Sequence, residues 1–255
     1  MSSFNPLSND WLKAELHAHC CEDPVDYRVC NYTPKQLILE AARLGYQVLA
    51  ITCHNRDIWT RELSDFAEEL GITLIPGMEV DAEGRHHVLA YNFQTGSENL
   101  SSLAKLKARR SEDTLVIAPH SFFPALSCLR GLLPSNIDVF DAIEISGFHT
   151  SRLDFNRRAR RIALQYQKPL VGNADVHMLW QLGKTFTWIN SRPGVLPVLE
   201  AIRQGKVRAE SAPLSLGRVA GWWATTAMRH IFPANPRPCG RRVLPSSASI
   251  FDDAQ

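Results

Sequence analysis

Between residues 12 and 204, short apolar runs alternate with amphipathic stretches that carry their own start and stop signals. The runs are LKAELHAH (12–19), YQVLAIT (46–52), ITLIP (72–76), HVLAYNF (87–93), TLVIAP (114–119), AIEIS (142–146) and PLVGN (169–173). After the first run a helix is expected: Thr33 caps it, Pro34 opens the first turn, and Gly45 ends it. Leu37, Ile38, Ala41, Ala42 and Leu44 form its apolar stripe. Thr60 caps a second helix, RELSDFAEEL, closed by Gly71. Further helices are expected near 98–110, over 151–167 and over 195–204. Strands alternating with helices predict an α/β fold, a parallel sheet with helices outside, as a barrel or an open doubly wound sheet. No GxGxxG follows the first run and no GxxxxGK[ST] occurs, so the nucleotide cradles built on those loops are absent.

The 255 residues are 45% hydrophobic and 21% charged, which suffices for one large core and argues against general disorder. The net charge of +2 is too small to argue for nucleic acid. It is unevenly spread: the segment from Arg203 onward carries +5 and the remainder −3. The alternation fades near residue 211, which divides the chain into a domain over 1–210 and a basic extension over 211–255. In the extension, GRVAGWWATTAMRHIF reads as one helix and the Pro- and Ser-rich remainder as a mobile tail. Trp222 and Trp223 with Arg218 and Arg229 fit a membrane-surface helix or one packed on the main domain, and packing is the expectation. No run of about 18 apolar residues exists, so no integral membrane segment is expected. The N-terminus has no basic region followed by an apolar stretch, and the cysteines at 20, 21, 30, 53, 128 and 239 form no CxxC pair. Free thiols in a cytoplasmic protein are the expectation.

The informative fact is where the imidazoles and carboxylates fall. His17 and His19 sit two apart on the first run, so they leave the same face of a strand. His54, Glu79 and His120 lie just past three other runs, Asp175 and His177 just past a fourth, and His87 begins a fifth. In a parallel barrel the strand C-terminal ends share one rim. Each residue alone has a bland reading, but a single shared site explains all of them together. Imidazole mixed with carboxylate suits zinc, manganese or iron. Glu79 is the candidate carboxylate to bridge two cations, an arrangement that serves phosphoryl transfer.

The ordered segments ELHAHC, AITCHN, LIPGMEV, HVLAYNF, VIAPHSFF and GNADVH resemble the polymerase and histidinol phosphatase (PHP) family of metal-dependent phosphoesterases, over about residues 12–205. The resemblance implies a distorted seven-stranded (β/α) TIM-like barrel holding two or three divalent metal ions. It implies that His17, His19, Glu79 and Asp175 hold a first ion, that Glu79, His87 and His120 hold a second, and that His54 and His177 serve a third. His86 competes with His87, and His87 is preferred because it directly precedes the apolar run. The chain departs from the family pattern in three places. Cys53 stands where Asp precedes the second-motif His, CCEDP replaces a Ser-Asp-Gly turn with Asp23 the nearest carboxylate, and Pro119 and Ser121 flank His120. Cys53 reads as a small buried thiol.

The activity implied is hydrolysis of phosphate esters, either phosphomonoesters or nucleic acid trimmed from the 5′ end. The charge favours a small phosphorylated substrate or a short nucleic acid over a long oligonucleotide. Arg56 and Arg152 are candidate cations for the substrate's phosphate, while the RRARR cluster (157–161) reads as a solvated helix face. Two alternatives stand beside this reading. An amidohydrolase-type barrel also begins with HxH and ends with Asp, but here no lysine stands at the strand ends bearing Glu79 or His120. A non-catalytic metal-binding module would keep the fold without turnover. The sequence leaves the oligomeric state open.

Overall fold

The computed structural model describes residues 11–231, without the side chains of 223 and 226–231. Its elements follow the alternation. They are β1 (Trp11–Glu15), α1 (Pro34–Arg43), β2 (Val48–Ala50), α2 (Arg61–Glu69), β3 (Thr73–Ile75), β4 (Gly77–Ala82), β5 (His86–Tyr91), α3 (Leu103–Arg109) and β6 (Leu115–Ala118). The chain continues through α4 (Leu132–Ser135), β7 (Ala142–Ser146), α5 (Asn156–Tyr166), β8 (Leu170–Asn173), β9 (Thr185–Asn190), α6 (Val195–Arg203), β10 (Val207–Ser211) and α7 (Leu216–Ile231). The expected tail, Cys239 and the side chains of Trp223 and Arg229 lie outside the described residues.

The helix signals act as expected. Thr33 and Gln36 form a reciprocal cap on α1, and Gly45 ends it at φ +75°. Thr60 accepts a hydrogen bond from the Leu63 N–H at the start of α2. Helix α5 begins at Asn156, not 151: the intervening turn is held by Thr150, whose hydroxyl accepts from the N–H groups of Arg152 and Leu153.

The strands form a mixed arrangement instead of a wholly parallel sheet. One five-stranded sheet has the order β10-β9-β1-β2-β3 and the other β4-β5-β6-β7-β8. The β1–β2, β2–β3, β6–β7 and β7–β8 pairs are parallel; β4–β5, β5–β6, β1–β9 and β9–β10 are antiparallel. No continuous ladder joins the two sheets. They meet at two isolated parallel bridges, Ala18 with Val176 and His54 with Glu79. Strand β4, absent from the sequence expectation, forms a hairpin with β5 across Glu83 and Gly84, both at positive φ. Strands β9 and β10 were also unexpected.

Period-two alternation sorts the side chains into three cores. In β5, Leu89 and Tyr91 face a central cluster fed by β1, β2, β3, β6, β7, β8 and β9 and closed by α6. Val88 and Ala90, on the opposite face, pack under α3, α4 and α5. Helices α1 and α2 cover the other sheet through Leu37, Ile38, Ala41 and Ala67. In β4, Met78 and Val80 belong to the outer layer, so Glu79 points the other way, toward the interior.

Cys20, Cys30, Cys53 and Cys128 are free and buried. No helix among the described residues is long and apolar enough to cross a membrane.

Candidate metal centre

The strand ends converge on Glu79. Strand β1 stops at Glu15, so His17 and His19 lie just beyond it, held in extended form by backbone bonds to Val176. Their Nε2 atoms stand 3.3 and 3.4 Å from Glu79 Oε2, and each lies 3.3 Å from Asp175 Oδ1. His54 Nε2 is also 3.3 Å from Glu79 Oε2. The other oxygen, Oε1, faces His87 Nδ1 at 2.7 Å and His120 Nε2 at 3.1 Å. His177 Nδ1 lies 3.4 Å from Asp175 Oδ1. Glu79 comes from the middle of β4, not from a loop past β3, because the strand period turns it inward.

These groups face one another without satisfying one another. His17 Nε2, His19 Nε2, His87 Nδ1 and Asp175 Oδ1 are buried and make no hydrogen bond. Uncompensated buried polar atoms are costly. Donors bound at about 2.0–2.1 Å around a tetrahedral zinc ion stand about 3.3 Å apart. The spacing of His17 and His19 from Glu79 and from Asp175 matches that value, and His17, His19 and Asp175 lie together as a group able to hold one ion. The ligand atoms of the triads His17–Glu79–His120 and His54–Glu79–His87, and of the group His19–Asp23–Asp26–His54, also lie within 4.8 Å of one another.

A second layer of contacts fixes the ring orientations. Glu144 Oε2 lies 2.9 Å from His17 Nδ1, and its Oε1 accepts from the His120 N–H. Asp23 Oδ2 lies 2.7 Å from His19 Nδ1 and 3.1 Å from His54 Nδ1. Both Asp23 oxygens also accept backbone N–H groups, from Val25, Asp26 and His54. Asp23, the nearest carboxylate in the sequence reading, is thus engaged with the Nδ1 side of these rings and orients them, and with His19, His54 and Asp26 it also forms a group close enough to hold an ion. Gln181 clamps the last loop: Oε1 accepts from the N–H groups of His177 and Met178, and Nε2 donates to the Asp175 carbonyl. His120 and Asp175 are held at φ 22° and 52°, a strained backbone for non-glycine residues at two donor positions.

The electrostatics follow from this packing. Burial pushes the Glu79 carboxyl up, but His87, His17 and His54 and the hydrogen bond from His120 outweigh it and hold it well below the usual range. Asp175 is likewise buried yet held low by His17 and His177. Burial lowers His54, but Glu79 and Asp23 push it up to about 9. His177 is opposed by burial in the same way and raised to about 9 by Asp175 and Asp26. Glu15, fully buried, is pushed well up by that burial.

The eight imidazole and carboxylate donors expected at the strand ends lie together at this centre, with Asp23 beside His19 and His54. His86 turns to the other side of β5, within 3.1 Å of the Cys128 carbonyl. Arg56 and Arg152 do not join them. Neither lines the cavity; Arg56 extends outward toward Glu22, and Arg152 is exposed after β7. Four residues were missed. Glu15 and Glu144 carry a visible signal, a carboxylate inside an apolar run. Gln181 and Asp26, whose Oδ2 is 3.1 Å from His177 Nε2, carry none. Over the centre opens a cavity of about 190 Å³. Phe123, Phe148 and Trp222 form one side of it.

The profile of the PHP domain matches residues 16–168, and a second profile, PHP-associated, matches residues 154–207. No curated protein matches the chain. Among solved structures, PsfC from Pseudomonas syringae superposes with a TM-score of 0.55 at 15% identity, over 88% of this chain and 98% of its own. A protein from Bifidobacterium adolescentis assigned as a metal-dependent phosphoesterase gives 0.51 at 16% identity, over 75% of this chain and 94% of its own. An amidohydrolase from Chromobacterium violaceum, with bound sulfate and no metal, gives 0.50 at 14%, over 76% and 97%. At such identities the likeness concerns the fold.

Proposed function

This chain belongs to the PHP domain family, and from that membership we propose that it hydrolyses phosphate esters with two or three divalent metal ions. The observation that carries the reading is that three buried atoms without hydrogen bonds, His17 Nε2, His19 Nε2 and Asp175 Oδ1, stand at ligand spacing beside a two-faced carboxylate, Glu79. His17, His19, Glu79 and Asp175 hold the first ion, and Glu79, His87 and His120 the second. His54 and His177, with Asp26 beside them, serve a third. Bound there, the ions activate water and offset phosphate charge. The protein's part is to hold Glu79 and Asp175 ionised, to fix each imidazole through Asp23, Glu144 and Gln181, and to shape the cavity above.

We read the two sheets as halves of a distorted seven-stranded barrel: β1, β2, β3 continued by β4, then β5, β6, β7 and β8. The isolated bridges are its seams. Residues 1–210 form the catalytic unit and α7 begins the extension. A small phosphorylated substrate fits the 190 Å³ cavity better than a nucleic acid track.

The test is release of phosphate from 4-nitrophenyl phosphate by protein loaded with zinc or manganese. The expected result is hydrolysis that chelation abolishes and metal restores. Turnover of amides or lactones without phosphate release would assign the amidohydrolase alternative. Full metal content with no turnover of any ester would assign a non-catalytic module.

A further inference from the structure

Building on the phosphoesterase reading, we propose that Trp222 determines specificity, selecting with Phe148 and Phe123 phosphomonoesters whose leaving group is a single uncharged planar ring.

Trp222 lies on α7, beyond residue 207 where the family profiles end. The segment before it is tied to the main domain by the Leu214 N–H bond to the His149 carbonyl. The Arg218 guanidinium sits 5.1 Å over the Trp180 ring and seats the first turn of the helix. Trp222 thereby reaches the cavity. Its ring lies 4.8 Å from Phe148, and edge-on to His177 at 6.5 Å. Phe148 in turn meets Phe123 edge-on at 5.5 Å. The result is a run of rings along one side of a cavity whose floor is imidazole and carboxylate.

Two features limit what fits. At about 190 Å³ the cavity is small beside ordinary small-molecule pockets of about 300–1,000 Å³, so the part of a substrate it covers is short. Among the described residues no lysine or arginine lines this cavity. Away from the metal centre, a second negative charge on the substrate therefore meets no lysine or arginine among the described residues. Flat π-systems gain from offset or edge-on aromatic neighbours beyond their buried area, and a branched aliphatic group does not. The wall and floor together describe a molecule with a phosphate at one end and a single ring at the other.

The experiment measures binding, not turnover. The zinc-loaded full chain is titrated calorimetrically with methylphosphonate, phenylphosphonate and the 5′-phosphonate of adenosine. Phenylphosphonate should bind at least about tenfold more tightly than either of the others, the scale of one aromatic stacking contact. Trp222→Ala should bring the phenyl-to-methyl ratio below about threefold, and Trp222→Phe should restore most of it. Should Trp222→Ala fail to fold or load zinc, Phe148→Ala reads the same ratio. Equal phenyl and methyl affinities, a preference for the adenosine compound, an unchanged ratio in the variants, or no phosphonate binding would overturn the proposal. Selective binding without ester hydrolysis would fail the phosphoesterase reading alone; hydrolysis with a flat ratio would fail this one alone.

Discussion

Glu79→Gln perturbs the centre where its contacts are densest. The carboxylate faces five imidazoles, with His17, His19 and His54 at one oxygen and His87 and His120 at the other. The substitution keeps the shape, removes the charge and turns one oxygen into a donor. In the metal-free protein at pH 7, His54 is protonated because its pKa lies at about 9, so the variant strands a buried cation. Breaking a buried ion pair costs about 3–5 kcal/mol. For a chain of this size that corresponds to a fall in Tm of about 6–20 °C. The upper end is softened because His54 can release its proton once the neighbouring charge is gone. Metal binding should fall further than the roughly 10–100-fold typical of losing an outer partner, because on the proposed reading Glu79 would contact both ions directly. The assay is scanning calorimetry of the chelated protein beside metal content and phosphate release of the reloaded protein. A variant with unchanged Tm, full metal content and full hydrolysis would refute the reasoning.

Other outcomes follow from the same geometry. His54 and His177 are raised from 6.5 to about 9, so the stability they give the metal-free fold is fully present below pH 6.5 and lost as pH rises through 9. Tm of the chelated protein should fall across that window, while apparent metal affinity should rise as the same protons leave; a flat profile would contradict it. Glu144→Gln, which loosens His17 through Nδ1, should weaken metal affinity about 10–100-fold without unfolding the chain, as read by metal titration. Gly172→Ala would place a methyl 2.9 Å from the Phe186 carbonyl and 3.2 Å from Ala209 Cβ, where β8 meets β9 and β10. Urea unfolding should show about 1–3 kcal/mol lost.

The sequence made the donors legible because parallel strands end on a common rim. His54, His120, Asp175 and His177 each follow an apolar run, and that position alone assigns their side of the fold. Glu79 stands in a different local structure from the one its sequence suggests, the middle of a strand instead of a loop. GMEVDA contains a glycine and two acids, and its strand character comes from pairing with β5, a tertiary effect that local pattern does not carry. The same applies to β9, whose alternation TFTWIN gains meaning only once β1 and β10 flank it. Arg56 points away from the centre for a different reason. Nearness to His54 in sequence fixes the backbone, whereas a long flexible side chain goes where its partner is, here Glu22. Trp222 was read as a packing residue, and its place at the cavity depends on how α7 folds back, which no local signal encodes.

The central claim is that distant strand ends assemble one multinuclear cation site around Glu79. Elemental analysis of the chain purified without chelators tests it most directly. The account predicts two to three equivalents of zinc, manganese or iron per chain, falling to one or fewer in Glu79→Gln. A wild-type chain that carries no metal and takes up none on reconstitution would contradict it.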